Sequence, residues 1–217
     1  MSVPLPRRAL LALALGAAAV LVASCGASLL PRPLPAPARF TLDDGAPAVA
    51  PAPPPPGAAV LVVEMPRAGP GFDSTRMVYL RQPQQLQSFA FHEWVDTPAH
   101  MLAPLLVRAL QTSGAYGAVL RAPSAASGGL RLETELIRLQ QDFGSTPSQV
   151  RLTLRAMLVD GNTRRPVAWR EFDVSVAAAS DDPAGGVAAA RAATRQLLGE
   201  LTEFADGVAA AHRALLT

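Results

Sequence analysis

Residues 130–136, with the sequence LRLETEL, and residues 150–158, with the sequence VRLTLRAML, decide the fold of this chain. In both segments apolar residues alternate with charged or polar ones, so each is predicted to be a β-strand with one buried face. A turn signal, DGN at residues 160–162, leads into a further alternating strand at residues 166–176. Charged outer positions are typical of antiparallel strands that face water on one side. The three segments therefore predict an antiparallel sheet.

The charged positions on these strands predict cross-strand ion pairs on a solvated face rather than an active site. The expected pairs join Arg151 and Arg155 to acids among Glu133, Glu135, Glu171 and Asp173. Exposed pairs contribute only about 0.2–1 kcal/mol each, so they fix the strand register more than they stabilise the fold.

Two helices are predicted to accompany the sheet. The first has Thr97 as its N-cap, Pro98 at its first position and Ser113–Gly114 at its end. The second follows DDP at residues 181–183 and carries an apolar stripe with alternating steps of three and four residues. The stripe consists of Val187, Ala190, Thr194, Leu197, Leu201, Phe204, Val208, Ala211 and Leu215. It would pack across the inner face of the sheet or, as an alternative, against a coiled-coil partner helix.

Four shorter strands are predicted from apolar runs and turn signals, at residues 58–63, 76–80, 86–91 and 116–120. The predicted fold class is α+β, with a largely antiparallel sheet packed by a long C-terminal helix and a shorter central helix.

The N-terminus has the features of an export signal that ends in a lipidation site. Arg7 and Arg8 precede an uncharged apolar run at residues 9–23, which is too short to span a bilayer comfortably. The run ends in LVASC at residues 21–25, and aliphatic–small–small–cysteine is the lipobox pattern of bacterial lipoprotein precursors. We therefore expect residues 1–24 to be removed and the thiol of Cys25 to receive a diacylglyceryl group. The alternative is a lone buried cysteine after an ordinary signal peptide.

Lipidation would determine where the protein resides. The new N-terminus is usually acylated as well, with a fatty acid such as palmitate, and several acyl chains give stable attachment to one leaflet. In enteric-type bacteria an aspartate after the modified cysteine retains lipoproteins in the inner membrane. Glycine occupies position 26, so we expect an outer-membrane protein that faces the periplasm.

A proline-rich segment at residues 30–57 follows the cysteine. Such a sequence favours an extended polyproline II spacer, although it could also be a ligand for a binding domain. Residues 39–42 alternate and would suit a short first strand, which would make residues 47–57 a loop rather than a tail. The expected organisation is a signal peptide at residues 1–24, a lipidated linker at 25–57 and a periplasmic domain at 58–217.

The charge balance and the absence of known motifs argue against a nucleic-acid partner, a bound metal ion and catalysis. Loss of Arg7 and Arg8 leaves 17 of the 19 basic residues, equal to the 17 acids, so the mature protein is near neutral and no nucleic-acid partner is expected. The sequence has no nucleophile elbow, phosphate-binding glycine loop or dinucleotide fingerprint. His92 and His100 lie eight residues apart, but nothing predicts that they converge on a metal ion. We therefore predict no catalytic residues, no cofactor and no enzyme activity.

The order of several motifs resembles one protein family. FTL at residues 40–42 precedes a valine-rich strand, GFDSTRMVY at 71–79 follows, and WVDTP at 94–98 opens a leucine-rich helix. This order, with the lipobox, is similar to the ABC-type transport auxiliary lipoproteins, which include the paraquat-inducible protein C type. The resemblance implies a non-enzymatic lipoprotein that works with an MCE-domain protein and an ABC permease and ATPase to move lipids between the two membranes. Some family members form rings, so a homo-oligomer stays open.

Four residues are predicted to contact a partner: Phe72, Arg76, Tyr79 and Trp94. They combine a glycine-flanked loop with aromatic anchors. The aromatic stretch at residues 89–95 could instead be core at a strand–helix junction. Two other functions remain open, a structural or assembly lipoprotein that partners an outer-membrane β-barrel, and a lipoprotein hydrolase built around His92.

Overall fold

The structure is a computed structural model that describes residues 35–43, 45, 50–124 and 129–215. The predicted signal peptide, Cys25 and Gly26 lie outside the described residues. Within the described part, nine strands form one sheet and two helices pack on it, in a unit that begins at Pro37.

The strands are β1 (Ala38–Phe40), β2 (Val60–Val63), β3 (Arg67–Ala68), β4 (Arg76–Leu80), β5 (Leu86–Trp94), β6 (Ala118–Arg121), β7 (Leu130–Asp142), β8 (Gln149–Asp160) and β9 (Pro166–Ala177). The helices are α1 (Pro98–Ser113) and α2 (Pro183–Ala214). The predicted α+β class is confirmed, with the long C-terminal helix packed on a mostly antiparallel mixed sheet.

Strand β7 is the centre of the sheet. One edge of β7 pairs with β8 along its whole length, and β8 pairs with β9, both in antiparallel register. The other edge of β7 pairs in turn with β2, β3 and β4, all parallel. Strand β6 lies beside β2, and β5 lies beside β4 with β1 at its outer side. The parallel pairing of the N-terminal strands was not predicted.

The leucine alternation of β7 buries one face and changes phase once. Leu130, Leu132 and Leu136 are fully buried. A register shift between Leu136 and Arg138 then inserts an extra residue, so that Leu139 continues the buried face. The strand begins directly after Gly129, whose φ of +84° and close approach to the carbonyl of Val60 leave no room for a Cβ atom.

The outer face of the sheet carries the predicted ion pairs. Arg151 pairs with Asp173, with its Nε donating to Oδ1 at 2.9 Å. Arg155 lies between two acids, 3.3 Å from Glu135 and 2.9 Å from Glu171. Glu133, the remaining candidate, instead lies 3.9 Å from Arg67 on β3.

Helix α1 has the predicted ends. The side chain of Thr97 accepts a hydrogen bond from the backbone N–H of His100 at 3.4 Å, and Pro98 opens the first turn. Gly114 closes the helix in the left-handed conformation with φ of 72°. The backbone of Ala52 lies directly against this glycine. The described end of the proline-rich segment therefore runs along the folded domain as a loop between β1 and β2.

The first strand changes the expected domain boundary. Strand β1 overlaps the alternating residues 39–42 and pairs parallel to β5. The folded unit consequently begins at Pro37, not at residue 58 as expected from the sequence. Only the residues before Pro37 remain as a linker.

Helix α2 packs on β8 and β9, which confirms sheet packing over a coiled coil. The predicted stripe is buried as far as Leu201, but further along the buried residues are Ala205 and Ala209. Of the predicted positions, Ala211 and Leu215 are exposed. The reason is geometric, because a repeat of 3.5 residues drifts around a straight helix that has 3.6 residues per turn.

We expect the substitution Leu197→Ala to lower the free energy of unfolding by about 2–5 kcal/mol, because this side chain is fully buried between α2 and the sheet. Leu215→Ala is the matched control, since the same change removes a side chain that is 84% exposed. Urea denaturation measures both, and equal losses would contradict the described packing of α2.

Low pH should lower the free energy of unfolding through Asp173, which lies on the outer face of the sheet. The hydrogen bond from Arg151 lowers the pKa of this carboxyl from 3.8 to about 2, against an opposing effect of burial. The ionised group therefore contributes stability above its unfolded pKa, and that contribution is lost as the pH falls from 4 towards 2. Between these values the stability of Asp173→Asn should fall less steeply than that of the unaltered protein. Parallel slopes in denaturation curves would argue against this pair.

Candidate partner-binding surface

Five aromatic rings lie in contact across strands β1, β5 and β4 and the end of β7. The ring centroids of Phe40 and His92 are 6.0 Å apart, those of His92 and Phe89 are 6.1 Å apart, and those of Phe89 and Tyr79 are 4.5 Å apart. Tyr79 then meets Phe143 edge-on at 5.8 Å. All five side chains are half-buried. We call this set the aromatic row.

A bulge in β5 brings together the side chains in the middle of the aromatic row. Val78 lies opposite Ser88, whereas Arg76 lies opposite Glu93, so five residue steps on β5 correspond to two steps on β4. The extra residues form a bulge, which redirects side chains relative to a regular strand. Phe89 and His92 belong to this bulged segment. Both can therefore approach rings on neighbouring strands that a regular register would keep apart.

The guanidinium group of Arg81 closes one end of the aromatic row. Its central carbon lies 5.7 Å from the ring centroid of Tyr79 and 5.3 Å from that of Phe143. Contacts of this kind contribute about 0.5–1 kcal/mol at exposed sites. Arg81 itself is exposed, so the row ends in a positive charge that a partner can reach.

Three large apolar side chains on and beside β5 are exposed to solvent. Leu86 is 48% exposed, Phe91 is 44% exposed and Val95 is 51% exposed. We call these three residues the β5 patch. Exposed aromatic and aliphatic side chains that adjoin a packed cluster are the usual composition of an interface centre. The aromatic row and the β5 patch together form the candidate surface.

The predicted contact residues have different positions in this surface. Tyr79 belongs to the aromatic row, and Arg76 is exposed at the start of β4. Phe72 and Trp94 are only 7% and 4% exposed and lie in the hydrophobic core. A partner could not reach these two without opening the fold, so they act as support beneath β4 and β5.

The sequence predicts only part of the surface. Phe91 falls in the predicted aromatic stretch at residues 89–95, whereas no pattern predicts Leu86 or Phe143, and Phe143 lies some 50 residues away from β5 in the chain. Within β5, the bulge hides which of the alternating residues face solvent. Only the run of aromatic residues at 89–94 was a usable signal.

His92 and His100 each contact a neighbouring side chain. His92 stacks on Phe40, whereas Nδ1 of His100 lies 3.2 Å from Oδ1 of Asp96 in the same turn. In the described part of the chain, no three residues among His, Cys, Asp and Glu are grouped so that they could hold a metal ion.

Two titratable groups are perturbed by burial away from the candidate surface, where α1 meets α2. Burial raises the pKa of the Asp206 carboxyl and that of the Tyr116 hydroxyl. The hydroxyl of Ser113 donates to Oδ1 of Asp206 at 3.1 Å. This hydrogen bond ties the end of α1 to α2, and it supports the fold rather than the candidate surface.

Among the described residues, neither α1 nor α2 combines the length and the apolar character that a bilayer-spanning helix needs.

Comparisons with known proteins give a consistent result. The family model of the ABC-type transport auxiliary lipoprotein component matches residues 40–202. A crystal structure of a DUF330-family protein from Xanthomonas campestris is similar with a TM-score of 0.66 and 27% identity, covering 84% of this chain and 98% of that one. A crystal structure of an uncharacterised protein is similar with a TM-score of 0.60 and 14% identity, over 78% and 98% of the two chains. No curated protein matches the sequence.

The candidate surface makes a prediction about stability. Phe89→Ala should destabilise the protein by about 1–3 kcal/mol, because Phe89 packs on the core and on three rings of the aromatic row. Phe91→Ala should change the unfolding free energy by less than about 0.5 kcal/mol, since its side chain is already exposed to water. Thermal denaturation of the two variants provides the comparison. A larger loss for Phe91→Ala would mean that the β5 patch is structural.

Proposed function

This chain belongs to the family of ABC-type transport auxiliary lipoprotein components, and we propose that it is the membrane-anchored, non-enzymatic auxiliary component of an ABC/MCE-type system that moves lipids between the inner and outer membranes. The observation that carries this proposal is the family match, which extends from the last residue of β1 into α2 and so includes the whole of the other eight described strands. The lipobox at residues 21–25 agrees with the lipoprotein nature of the family.

The proposed anchor is the lipidated thiol of Cys25 in the outer membrane, with the domain facing the periplasm. Thirteen residue steps separate Cys25 from Ala38, the first residue of β1. A fully extended chain covers at most about 3.5 Å per residue, so the start of β1 stays within roughly 45 Å of the bilayer surface. The proposed tether therefore restricts the start of β1 to a layer of this depth beside the membrane.

The proposed docking surface for the MCE-domain partner consists of the β5 patch with Arg76, Tyr79 and Arg81. It offers exposed apolar side chains and two arginines beside a rigid aromatic row. Strand β1, which continues the tether, pairs with β5. The chain that follows the proposed tether therefore enters the sheet beside the docking surface, which would favour a partner that reaches the membrane.

The anchor is tested by the substitution Cys25→Ser in cells that carry the native transport genes. We expect the altered protein to leave the outer-membrane fraction, because a hydroxyl cannot take the diacylglyceryl group. Mass spectrometry of the unaltered protein should show an N-terminal, acylated cysteine. An unmodified thiol in the membrane-bound protein would overturn the anchor.

Docking is tested by chemical crosslinking and affinity purification from detergent-solubilised membranes. The double variant Leu86→Gln/Phe91→Gln should lose most of the MCE and ABC components that the unaltered protein recovers, because it removes two exposed apolar anchors. The matched control Val167→Gln/Leu215→Gln removes two exposed apolar side chains far from β5 in the chain and should recover them normally. Recovery of a β-barrel in place of MCE components would refute the transport role and favour a barrel-assembly lipoprotein.

A further inference from the structure

The outer face of the sheet carries an open groove of about 420 Å³ across strands β3, β7, β8 and β9. We call it the outer-face groove. Helix α2 lies on the opposite face, where Phe204 packs edge-on against Phe172 with 5.9 Å between the ring centroids. Trp169 forms the wall of the groove on β9 and is 66% exposed. The proposed transport role makes no use of this face.

Six of the lining side chains stand in two rows across three strands. In the order β9, β8, β7, the rows are Trp169–Met157–Glu133 and Glu171–Arg155–Glu135. Residues directly opposite each other have Cβ atoms about 4.5–5.5 Å apart, and two residues along a strand span about 6.6 Å. All six side chains therefore border one space, and the groove is a single surface.

The outer-face groove has more carboxylates than guanidinium groups. Arg155 is shared between two acids, with one nitrogen 3.3 Å from Glu135 and another 2.9 Å from Glu171. Arg67 lies 3.9 Å from Glu133, which is too long for a hydrogen bond. Three carboxylates thus face two guanidinium groups, so the lining carries one net negative charge. This charge is complementary to a cationic group.

Trp169 adds a second attraction for a cation. The face of an indole ring carries negative electrostatic potential, and tryptophan attracts a cation above its ring more strongly than tyrosine or phenylalanine does. Glu171 follows two residues later on the same face of β9. A cation above the ring of Trp169 therefore lies within reach of the Glu171 carboxylate. With 66% of its surface exposed, Trp169 can accept such a group without a change in the fold.

The composition of the outer-face groove favours a protein as the source of the cation. Five of the eight lining residues are charged, so an acyl chain would find little more than Met157 and Trp169 to contact. Tryptophan, methionine and arginine are instead enriched at protein interfaces. Strand β8 is paired on both sides along its length, so these side chains project from a rigid support and binding orders little backbone.

We propose that the outer-face groove binds an arginine side chain of a separate protein partner. The guanidinium group stacks on the indole of Trp169, and its N–H groups donate to the carboxylate of Glu171. Arginine fits both contacts better than lysine, because its planar group stacks on aromatic faces and pairs with a carboxylate through two parallel hydrogen bonds. Arg155 holds Glu171 in place from the neighbouring strand.

The outer-face groove is separate from the β5 patch. Strands β4, β7 and β8 lie between β5 and β9 in the sheet. The two surfaces can therefore be occupied at the same time, by two parts of one assembly or by two different proteins. The arginine site stands independently of the proposed transport role, because its argument uses only the residues that line the groove.

Tryptophan fluorescence tests the site directly, because the other tryptophan, Trp94, is buried. The full chain in non-ionic detergent is titrated with the capped peptide Gly-Arg-Gly-Arg-Gly, and with matched peptides that carry lysine or the uncharged isostere citrulline. We expect a saturable change in emission with arginine, a weaker one with lysine and none with citrulline. Added salt should weaken the binding, and the signal should disappear in Trp169→Phe. An equal response to the citrulline peptide would overturn the proposal.

The carboxylate is tested with Glu171→Gln. This change should weaken binding of the arginine peptide about two- to fivefold, which is the effect of losing one partly exposed ion pair. Glu203→Gln is the matched control, since it removes an exposed carboxylate from α2 and should bind the peptide normally. Thermal denaturation checks that both variants are folded. Equal affinity of Glu171→Gln and the control would contradict the proposed site.

Two other occupants are distinguished by separate measurements. Short-chain phosphatidylcholine, added in place of the peptide, tests a lipid headgroup through the same emission of Trp169. Analytical ultracentrifugation tests a second copy of this chain, whose self-association Trp169→Ala would then abolish. A response to the lipid without a response to the arginine peptide, or self-association through Trp169, would overturn a separate protein partner.

Discussion

Burial of one leucine-rich face of β7, β8 and β9 beneath α2 is the interaction on which the rest of this structure depends. The fully buried leucines of this layer come from β7, β8 and α2, and a single register shift in β7 keeps its second half on the buried side. Because α2 covers this face, the charges of the other face remain in water and pair with one another. The free edge of β7 then offers β2, β3 and β4 a template on which to pair.

The local parts of this arrangement were predictable from the sequence because each depends on neighbouring residues. Alternation predicted β7, β8 and β9, and the Thr97–Pro98 start and Gly114 end of α1 follow from capping chemistry. The parallel pairing of β2 and β4 with β7 was not predictable, since it depends on which strands that are distant in the chain pair with the same edge of β7. The two-residue strand β3 carries no periodic signal at all. In α2 the predicted stripe shifts beyond Leu201, where Ala205 and Ala209 are buried and Phe204 and Val208 pack only partly buried at the margin of the core.

The side chains of the candidate surface were also only partly predictable from the sequence. The sequence identified the right region, because Tyr79 lies in the aromatic row and Arg76 lies at its border. It could not distinguish the buried Trp94 from the exposed Phe91, since the bulge in β5 breaks the alternation that would have separated them. Phe143 joins the row only because β4 and β7 end at the same level. Tertiary proximity of this kind has no signature in a single sequence.

The position of β9 has a consequence for how this protein behaves when it is concentrated. Among the described strands β9 pairs with β8 alone, so one side of a twelve-residue strand keeps its backbone groups available. An unpaired strand edge can pair with strands of other chains and so promote fibril formation. Arg170 projects on the helix-covered side, over Phe172, and Pro166 begins the strand. An inward-pointing charge and a residue without an amide hydrogen both oppose continued strand addition, so the composition of this strand guards the concentrated protein against aggregation.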